Sequence, residues 1–261
     1  FPYNIQYRLL LAAYFKTLKD KDKALAVYRD ILAIDPEQGD ALLETAELSV
    51  PSQAEGNEKF LQTAQVVFAD PKAEIDLKIK KLLPYIDVLD NHPTEEQKQQ
   101  IITLAKLLVQ AHPTEAKAYS MQGDVLFHAD DIDGALTSYL TALRYNSNIY
   151  SVYDQILYIY HEKKDDARLL EMSNSVCDLF PNQARAFYFK GIANEHLNNY
   201  AEAISAYKQA MLMSRSYLAL LLELHYRLAD TYTKNSEFDN ALDIVNKGLN
   251  IAQGKNTDLL E

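Results

Sequence analysis

The sequence predicts an all-α fold, a solenoid of antiparallel helix pairs, and three observations lead to that prediction. Glycine and proline contribute only 7 and 8 of the 261 residues, which is about half of average usage. Hydrophobic residues make up 48% and charged residues 24%, as is typical of a globular chain. Similar segments recur every 34 residues. Helices joined by short connections satisfy all three observations, whereas a barrel or sandwich needs many more turn-forming residues.

The charge of the chain restricts the classes of partner. The net charge is −11, and an acidic surface repels phosphate groups, so we expect neither nucleic acid nor an anionic membrane surface as a partner. The longest uninterrupted apolar run, Leu218–Leu222, is too short for insertion into a bilayer. The single cysteine, Cys177, excludes an internal disulfide and is compatible with the cytoplasm and the periplasm alike.

The repeat is visible in matching residues at fixed spacing. Gly123 and Gly191 lie 68 residues apart, which is two periods of 34. Three further pairs have the same spacing: Ala135 with Ala203, Tyr139 with Tyr207, and Ala142 with Ala210. Four coincident columns indicate a repeated supersecondary unit rather than chance similarity.

This pattern resembles the tetratricopeptide repeat (TPR), a helix–turn–helix unit of 34 residues. Counted from the first residue of each repeat, the family places a small residue at position 8, alanine at 20 and an aromatic residue at 24. The resemblance covers nearly the whole chain as about seven repeats in one solenoid over residues 1–261, resembling a segment of a longer bacterial multi-TPR protein. Five repeats match well and two, 39–72 and 73–115, are irregular. The predicted repeats are 5–38, 39–72, 73–115, 116–149, 150–183, 184–217 and 222–255.

Departures from the pattern predict local differences in structure. Leu157 and Leu169 stand where small residues are expected, so the two helices of repeat 150–183 should lie further apart than those of its neighbours. Pro84 falls inside the first helix of repeat 73–115 and predicts a kink there. The stretch 49–57, with Pro51 and Gly56, predicts a long connection between two helices.

The sequence favours a protein without catalytic activity, cofactor or metal. Seven glycines form none of the glycine-rich phosphate or nucleophile motifs. His161 and Glu162 begin a zinc-protease-like string, but the fifth residue is Asp165. Asp130-Asp131 and Asp165-Asp166 are interpreted as turns and helix caps, and Cys177 as a buried, inert thiol.

Three histidines, His128, His161 and His196, recur at positions 12 or 13 of successive repeats. They predict polar surface groups along one edge, with a metal site or a pH-sensitive edge as the alternative.

The resemblance implies a ligand groove lined by the first helix of each repeat. In the family, positions 2, 5, 9 and 12 of this helix face the ligand. Here they mix aromatic, charged and hydrogen-bonding groups, as recognition surfaces do. The predicted groove residues are Lys117, Asp124, Phe127, Asp154, Tyr158, His161, Arg185, Tyr188, Glu195, Tyr226 and Asp230.

Three hypotheses for function follow. The first is a scaffold that binds a peptide or protein in the groove, with Tyr158, Tyr188 and Tyr226 as anchors. A second is an accessory module that binds a sugar or small ligand on the tyrosines, and a third is an enzyme. The lysine and asparagine pattern of repeats that clamp chaperone C-termini is not matched, so that partner is rejected. The oligomeric state stays open.

Overall fold

The computed structural model describes residues 4–49, 53–214 and 217–253 of the chain. Within these ranges every regular element is an α-helix, which confirms the predicted fold class. The chain divides into two compact units, Phe1–Ser147 and Asn148–Glu261, and each is described by itself. One continuous solenoid over residues 1–261 stays a prediction.

The N-terminal unit is a series of helix pairs. The helices are α1 (Ile5–Thr17), α2 (Lys21–Ile34), α3 (Gly39–Leu48), α4 (Gln53–Ala69), α5 (Ile75–Leu82), α6 (Pro84–Asp90), α7 (Glu95–Ala111), α8 (Ala116–His128) and α9 (Ile132–Tyr145). From α1 to α4 each helix packs against the next along the chain. Helix α4 then packs mainly against α7, α7 against α8, and α8 against α9.

The irregular repeats of this unit agree with the sequence in one place and differ in another. Helices α5 and α6 meet at Leu83, and Pro84 begins α6, which confirms the predicted interruption. The predicted connection over 49–57 is wrong for its second half, because α4 already begins at Gln53. Pro51 lies outside the described residues.

The C-terminal unit contains three regular pairs, in which each helix packs against the next along the chain. The helices are α10 (Tyr150–Glu162), α11 (Asp166–Leu179), α12 (Ala184–His196), α13 (Tyr200–Met213), α14 (Leu218–Lys234) and α15 (Phe238–Ala252). Counted with α5 and α6 as one kinked helix, the described residues form fourteen helices, two for each of the seven predicted repeats.

In the turns of two regular pairs an aspartate side chain caps the second helix. Asp131 accepts a hydrogen bond from the backbone N–H of Gly134 at 3.0 Å, and Asp165 accepts one from Arg168 at 3.1 Å. These carboxylates satisfy backbone donors that the first turn of a helix leaves free. The two aspartate pairs are therefore turns and caps, as predicted.

One residue before each of these caps, the backbone adopts a left-handed conformation. Position 15 of every regular repeat has a positive φ, between 54° and 64°. The residues are Lys19, Asp130, Lys164, Asn198 and Ser236. This conformation is sterically unfavourable for residues other than glycine. The packing of the helix pair, rather than the preference of the residue, therefore determines the turn geometry.

Replacing Lys164 by glycine is therefore expected to raise the free energy of unfolding by about 0.5–1 kcal/mol, because relief of the left-handed strain exceeds the extra chain entropy of glycine. The matched control is Lys163→Gly. Lys163 is exposed as well, but its φ is −76°, so glycine there should lower the stability by a similar amount. Chemical denaturation followed by circular dichroism measures both, and equal losses in the two variants would contradict the argument.

Glycine at position 8 lets the two helices of a pair approach closely. A Cβ atom placed on Gly123 would lie 2.4 Å from Cε1 of Tyr139, and one on Gly191 would lie 2.3 Å from Cε1 of Tyr207. The aromatic ring at position 24 therefore lies directly on the backbone of the first helix.

The pair that carries leucine at positions 8 and 20, in place of small residues, is more open, as predicted. Leu157 and Leu169 are both fully buried. The α-carbons of α10 and α11 approach within 8 Å of each other along a much shorter stretch than in the other two pairs. Those pairs are α8 with α9 and α12 with α13. Two leucine side chains in place of small residues hold the helices apart.

Candidate groove faces

The predicted groove residues lie on the first helices of four repeats. Lys117, Asp124 and Phe127 belong to α8 in the N-terminal unit, and the other eight belong to α10, α12 and α14 in the C-terminal unit.

In the C-terminal unit an ion pair joins α10 to α12. The Arg185 Nε donates to Oδ1 of Asp154 at 2.8 Å, and its guanidinium also lies over the ring of Phe189, 5.5 Å from the centroid. Both members of the pair retain exposed surface. Tyr158 is one helical turn after Asp154, so it shares this face, and 37% of it is exposed.

A second contact joins α12 to α14. The hydroxyl of Tyr188 donates to Oε1 of Glu223 at 3.4 Å, and Nε of Arg227 donates to the same oxygen at 2.8 Å. The Tyr188 ring is half-buried beside Phe189, and burial raises the pKa of its hydroxyl. Tyr226, three residues after Glu223, is 67% exposed. Arg227 belongs to this face, but its repeat position lies outside the predicted stripe.

Near the C-terminal end of α12, Glu195 is buried rather than accessible to a ligand, with only 5% of its surface exposed. One carboxylate oxygen accepts from the hydroxyl of Tyr207 at 2.7 Å, and the other lies 2.7 Å from Nζ of Lys234. Lys234 also pairs with Asp230 at 2.7 Å. Glu195 therefore ties together three helices, and its carboxylate is already engaged.

His161 differs from a surface histidine. It is half-buried, its Nδ1 has no hydrogen-bond partner among the described residues, and its ring lies 6.4 Å from that of His196. Burial lowers its pKa, with nearby His196 and Arg227 acting in the same direction. The lowered pKa favours the neutral form of the His161 ring.

The other two histidines are paired with carboxylates. His128 Nδ1 lies 2.6 Å from Asp90, and His196 Nδ1 lies 2.8 Å from Asp166. Over the described ranges, histidine, cysteine and carboxylate side chains form no cluster of three that could hold a metal ion.

The N-terminal unit shows the same pattern of links between first helices. Lys117 Nζ lies 2.5 Å from Asp76 on α5. Asp124 accepts a hydrogen bond from the buried Tyr139 hydroxyl at 2.7 Å, and desolvation raises the pKa of this carboxyl. Phe127 is half-buried. Asp124 therefore holds a packing tyrosine, as Glu195 does in the other unit.

Sequence reasoning missed further ion pairs of this kind in the irregular repeats. Glu44 on α3 bonds to Lys16 on α1, and it lies 2.7 Å from Lys81 on α5. Burial alone would raise the pKa of Glu44, but the two lysines lower it. The weak repeat match left these positions without a register. We call all ion pairs between first helices of neighbouring repeats the groove-side ion pairs.

Lys78 on α5 is a buried cation without a carboxylate ligand. It is fully buried, and its Nζ donates to the backbone carbonyls of Asp70 at 2.7 Å and Phe68 at 3.2 Å. Burial lowers its pKa to about 8. The ammonium group satisfies carbonyls at the end of α4, which is a structural role.

Three clefts of 330–460 Å³ lie in the N-terminal unit, and their linings include none of the predicted groove residues. The 330 Å³ cleft is lined largely by carboxylates, among them Asp35, Asp40 and Glu74.

Cys177 is 6% exposed, and burial raises the pKa of its thiol to about 11, which confirms an unreactive thiol. Over the part of the chain that the structure describes, no helix is long and apolar enough to cross a membrane.

Comparison with known proteins identifies the repeat. Sequence profiles described as tetratricopeptide repeat match residues 5–38 and 157–212. No curated protein is significantly similar to the chain in sequence.

Three solved structures illustrate the similarity of fold. MamA 41-end from Desulfovibrio magneticus RS-1 is 15% identical, with 69% of this chain and 98% of that chain covered at a TM-score of 0.56. A MamA RS-1 double mutant is 16% identical over 69% and 97%, with a TM-score of 0.57. YrrB, described as a TPR protein with an unusual peptide-binding site, is 14% identical over 69% and 88%, with a TM-score of 0.53.

Proposed function

Because the chain is a multi-TPR protein, we propose that it is a non-catalytic interaction scaffold that binds a peptide or protein partner. We propose that the partner lies along the face formed by α10, α12 and α14 in the C-terminal unit. This surface, the C-terminal groove face, consists of Asp154, Tyr158, Arg185, Tyr188, Glu223, Tyr226 and Arg227.

The observation that carries the proposal is the pair of contacts between neighbouring first helices. Arg185 reaches Asp154 across α10 and α12, and Tyr188 reaches Glu223 across α12 and α14. Side chains from three repeats therefore share one surface. Tyr158 and Tyr226 are its exposed aromatic members. A tyrosine supplies a large contact area at low entropic cost and a hydroxyl for a peptide backbone.

The charges of this face favour a partner that carries both signs. Two arginines alternate with two carboxylates, and Arg227 pairs with Glu223 on one helix. A uniformly acidic or basic peptide would meet repulsion at every second group, whereas a mixed sequence could exchange partners with the existing pairs. YrrB, which is similar in fold, is a TPR protein with an unusual peptide-binding site, and this supports the same class of ligand.

Groove residues outside this surface have other proposed roles. His161, Glu195 and Asp230 lie further along the same helices, and Glu195 positions Tyr207 and Lys234. In the N-terminal unit we propose Lys117 and Phe127 as partner contacts on α8, with Asp124 holding Tyr139 beneath them.

Truncating Tyr226 to alanine is expected to weaken peptide binding by about 2 kcal/mol, or roughly thirty-fold, if the ring is an anchor. The probe is the tightest peptide selected from a displayed random library on the full chain, and calorimetry gives its affinity. Since Tyr226 is 67% exposed, the melting temperature should hardly change. Tyr188→Ala should weaken binding as much but also cost stability, because its ring packs on Phe189 and Tyr207.

The matched control is Tyr145→Ala. Tyr145 is 48% exposed on α9, a second helix, and its loss should leave the affinity unchanged. Equal weakening by Tyr145→Ala and Tyr226→Ala would place the site elsewhere. Binding of free sugars without any selected peptide would instead support a sugar-binding module.

A further inference from the structure

Helix α1 carries an apolar stripe that nothing covers among the described residues. Its members follow the helical spacing of three and four residues, so they share one face. They are Tyr7 (67% exposed), Leu10 (67%), Leu11 (45%) and Tyr14 (57%). We call this set the α1 stripe. Isolated apolar residues on a surface are ordinary, but four on one helix face mark an interaction surface.

Helix α15 carries a second such stripe. Its members recur every three or four residues and again share one face. They are Phe238 (65% exposed), Leu242 (62%), Val245 (44%) and Leu249 (52%). We call this set the α15 stripe.

The α1 stripe corresponds to positions that are buried in other first helices of the chain. Tyr7 and Tyr14 occupy positions 3 and 10 of their repeat. Helices α8, α12 and α14 each pack on the preceding helix. Their residues at these two positions are fully buried. The residues, all 0% exposed, are Ala118, Val125, Ala186, Ala193, Leu224 and Thr231. The α1 stripe is thus the half of a repeat junction that faces the preceding repeat.

The α15 stripe is the other half of such a junction. Leu242 and Val245 occupy positions 21 and 24 of the last repeat. In α2 and α13, each of which packs on the first helix of the next repeat, the same positions are at most 8% exposed. Those residues are Leu25, Tyr28, Ile204 and Tyr207.

We infer that the occupant of each stripe is a second copy of this chain, bound head to tail, with the α15 stripe of one copy packed on the α1 stripe of the next. The two stripes are the complementary halves of a contact that this chain already makes between its own repeats. Pairing two α1 stripes would instead place a first helix where the described repeat junctions place the second helix of the preceding repeat.

The charges of the two helices agree in sign with this pairing. Helix α1 has two basic residues and no acidic one, whereas α15 has two acidic residues and one basic. Arg8 and Lys16 already form ion pairs within their own copy, so the apolar stripes drive the association. One helix-on-helix contact is smaller than the ~1,600 Å² of a standard interface, so the complex should be weak and dependent on concentration.

The test is analytical ultracentrifugation of the full chain from ~5 to ~200 μM. The weight-average mass of the unsubstituted chain should rise with concentration, because a heterologous contact leaves a free stripe at each end of every complex. Leu10→Glu blocks the α1 stripe and Leu242→Glu blocks the α15 stripe, so each variant alone should stay monomeric. An equimolar mixture of the two should form a complex of one copy of each, since one free stripe of either kind remains.

The control is Leu212→Glu on α13, where a leucine with 65% exposure lies outside both stripes. It should associate as the unsubstituted chain does, and all three variants should keep the same melting temperature. A monomeric unsubstituted chain at the highest concentration would overturn the proposal and assign the stripes to another occupant, such as a further repeat. Self-association of Leu10→Glu or Leu242→Glu alone, or no complex in the mixture, would also overturn it.

Discussion

Gly191→Ala is expected to lower the free energy of unfolding of the C-terminal unit by about 2–6 kcal/mol. The added methyl group would lie 2.3 Å from the Tyr207 ring, which is fully buried and cannot move aside without strain. Overpacking of this kind costs about 1–3 kcal/mol. A displaced ring would also lose its 2.7 Å hydrogen bond to the buried Glu195, at about 1–3 kcal/mol more. Urea denaturation followed by circular dichroism measures the change.

A double-mutant cycle separates this clash from other effects of alanine. In a Tyr207→Leu background the ring is gone, and Gly191→Ala should then cost little or even stabilise, because alanine favours a helix over glycine. Equal losses in the two backgrounds would show that α12 and α13 do not close against Gly191. Because a repeat is stabilised by its neighbours, the single variant should also unfold less cooperatively.

Glu195→Ala is expected to lower the free energy of unfolding by about 1–4 kcal/mol. The buried hydroxyl of Tyr207 would lose its acceptor, at about 1–3 kcal/mol. The side chain of Lys234 is 42% exposed and keeps its pair with Asp230, so the lost ion pair adds only about 0–1 kcal/mol.

The chain supplies a matched control on the same lysine. Asp230 also lies 2.7 Å from Lys234 Nζ, but its side chain is 40% exposed. An exposed pair contributes about 0–1 kcal/mol, so Asp230→Ala should change the free energy of unfolding by no more than about 1 kcal/mol. Similar effects of the two substitutions would mean that burial does not govern this network.

Most of the fold could be predicted because the repeat depends on steric fit. A small residue at position 8 and an aromatic ring at position 24 are recognisable in sequence, and the structure shows why: the ring of Tyr139 or Tyr207 occupies the space that a Cβ on Gly123 or Gly191 would fill. The helix caps were predictable for a similar reason, since an aspartate before a helix satisfies its first donors.

The rest depends on contacts that a single sequence does not reveal. Glu195 occupies position 12 of repeat 184–217, which predicts that it faces the ligand. It is buried instead, because it bonds to Tyr207 and to Lys234, which is 39 residues away in sequence. Arg227 lies one position beyond the predicted stripe and joins the face through its bond to Glu223. The role of Glu44 was hidden because repeat 39–72 matches the pattern weakly.

The groove-side ion pairs give the first-helix face of each unit a stiffness that salt can tune. Each pair resists separation of two adjacent repeats along their first helices, as in Lys117 with Asp76 and Arg185 with Asp154. Exposed pairs of this kind weaken as ions screen them, whereas the apolar contacts between the helices do not. Rising ionic strength should therefore make each unit more compliant in bending while leaving its helix content unchanged.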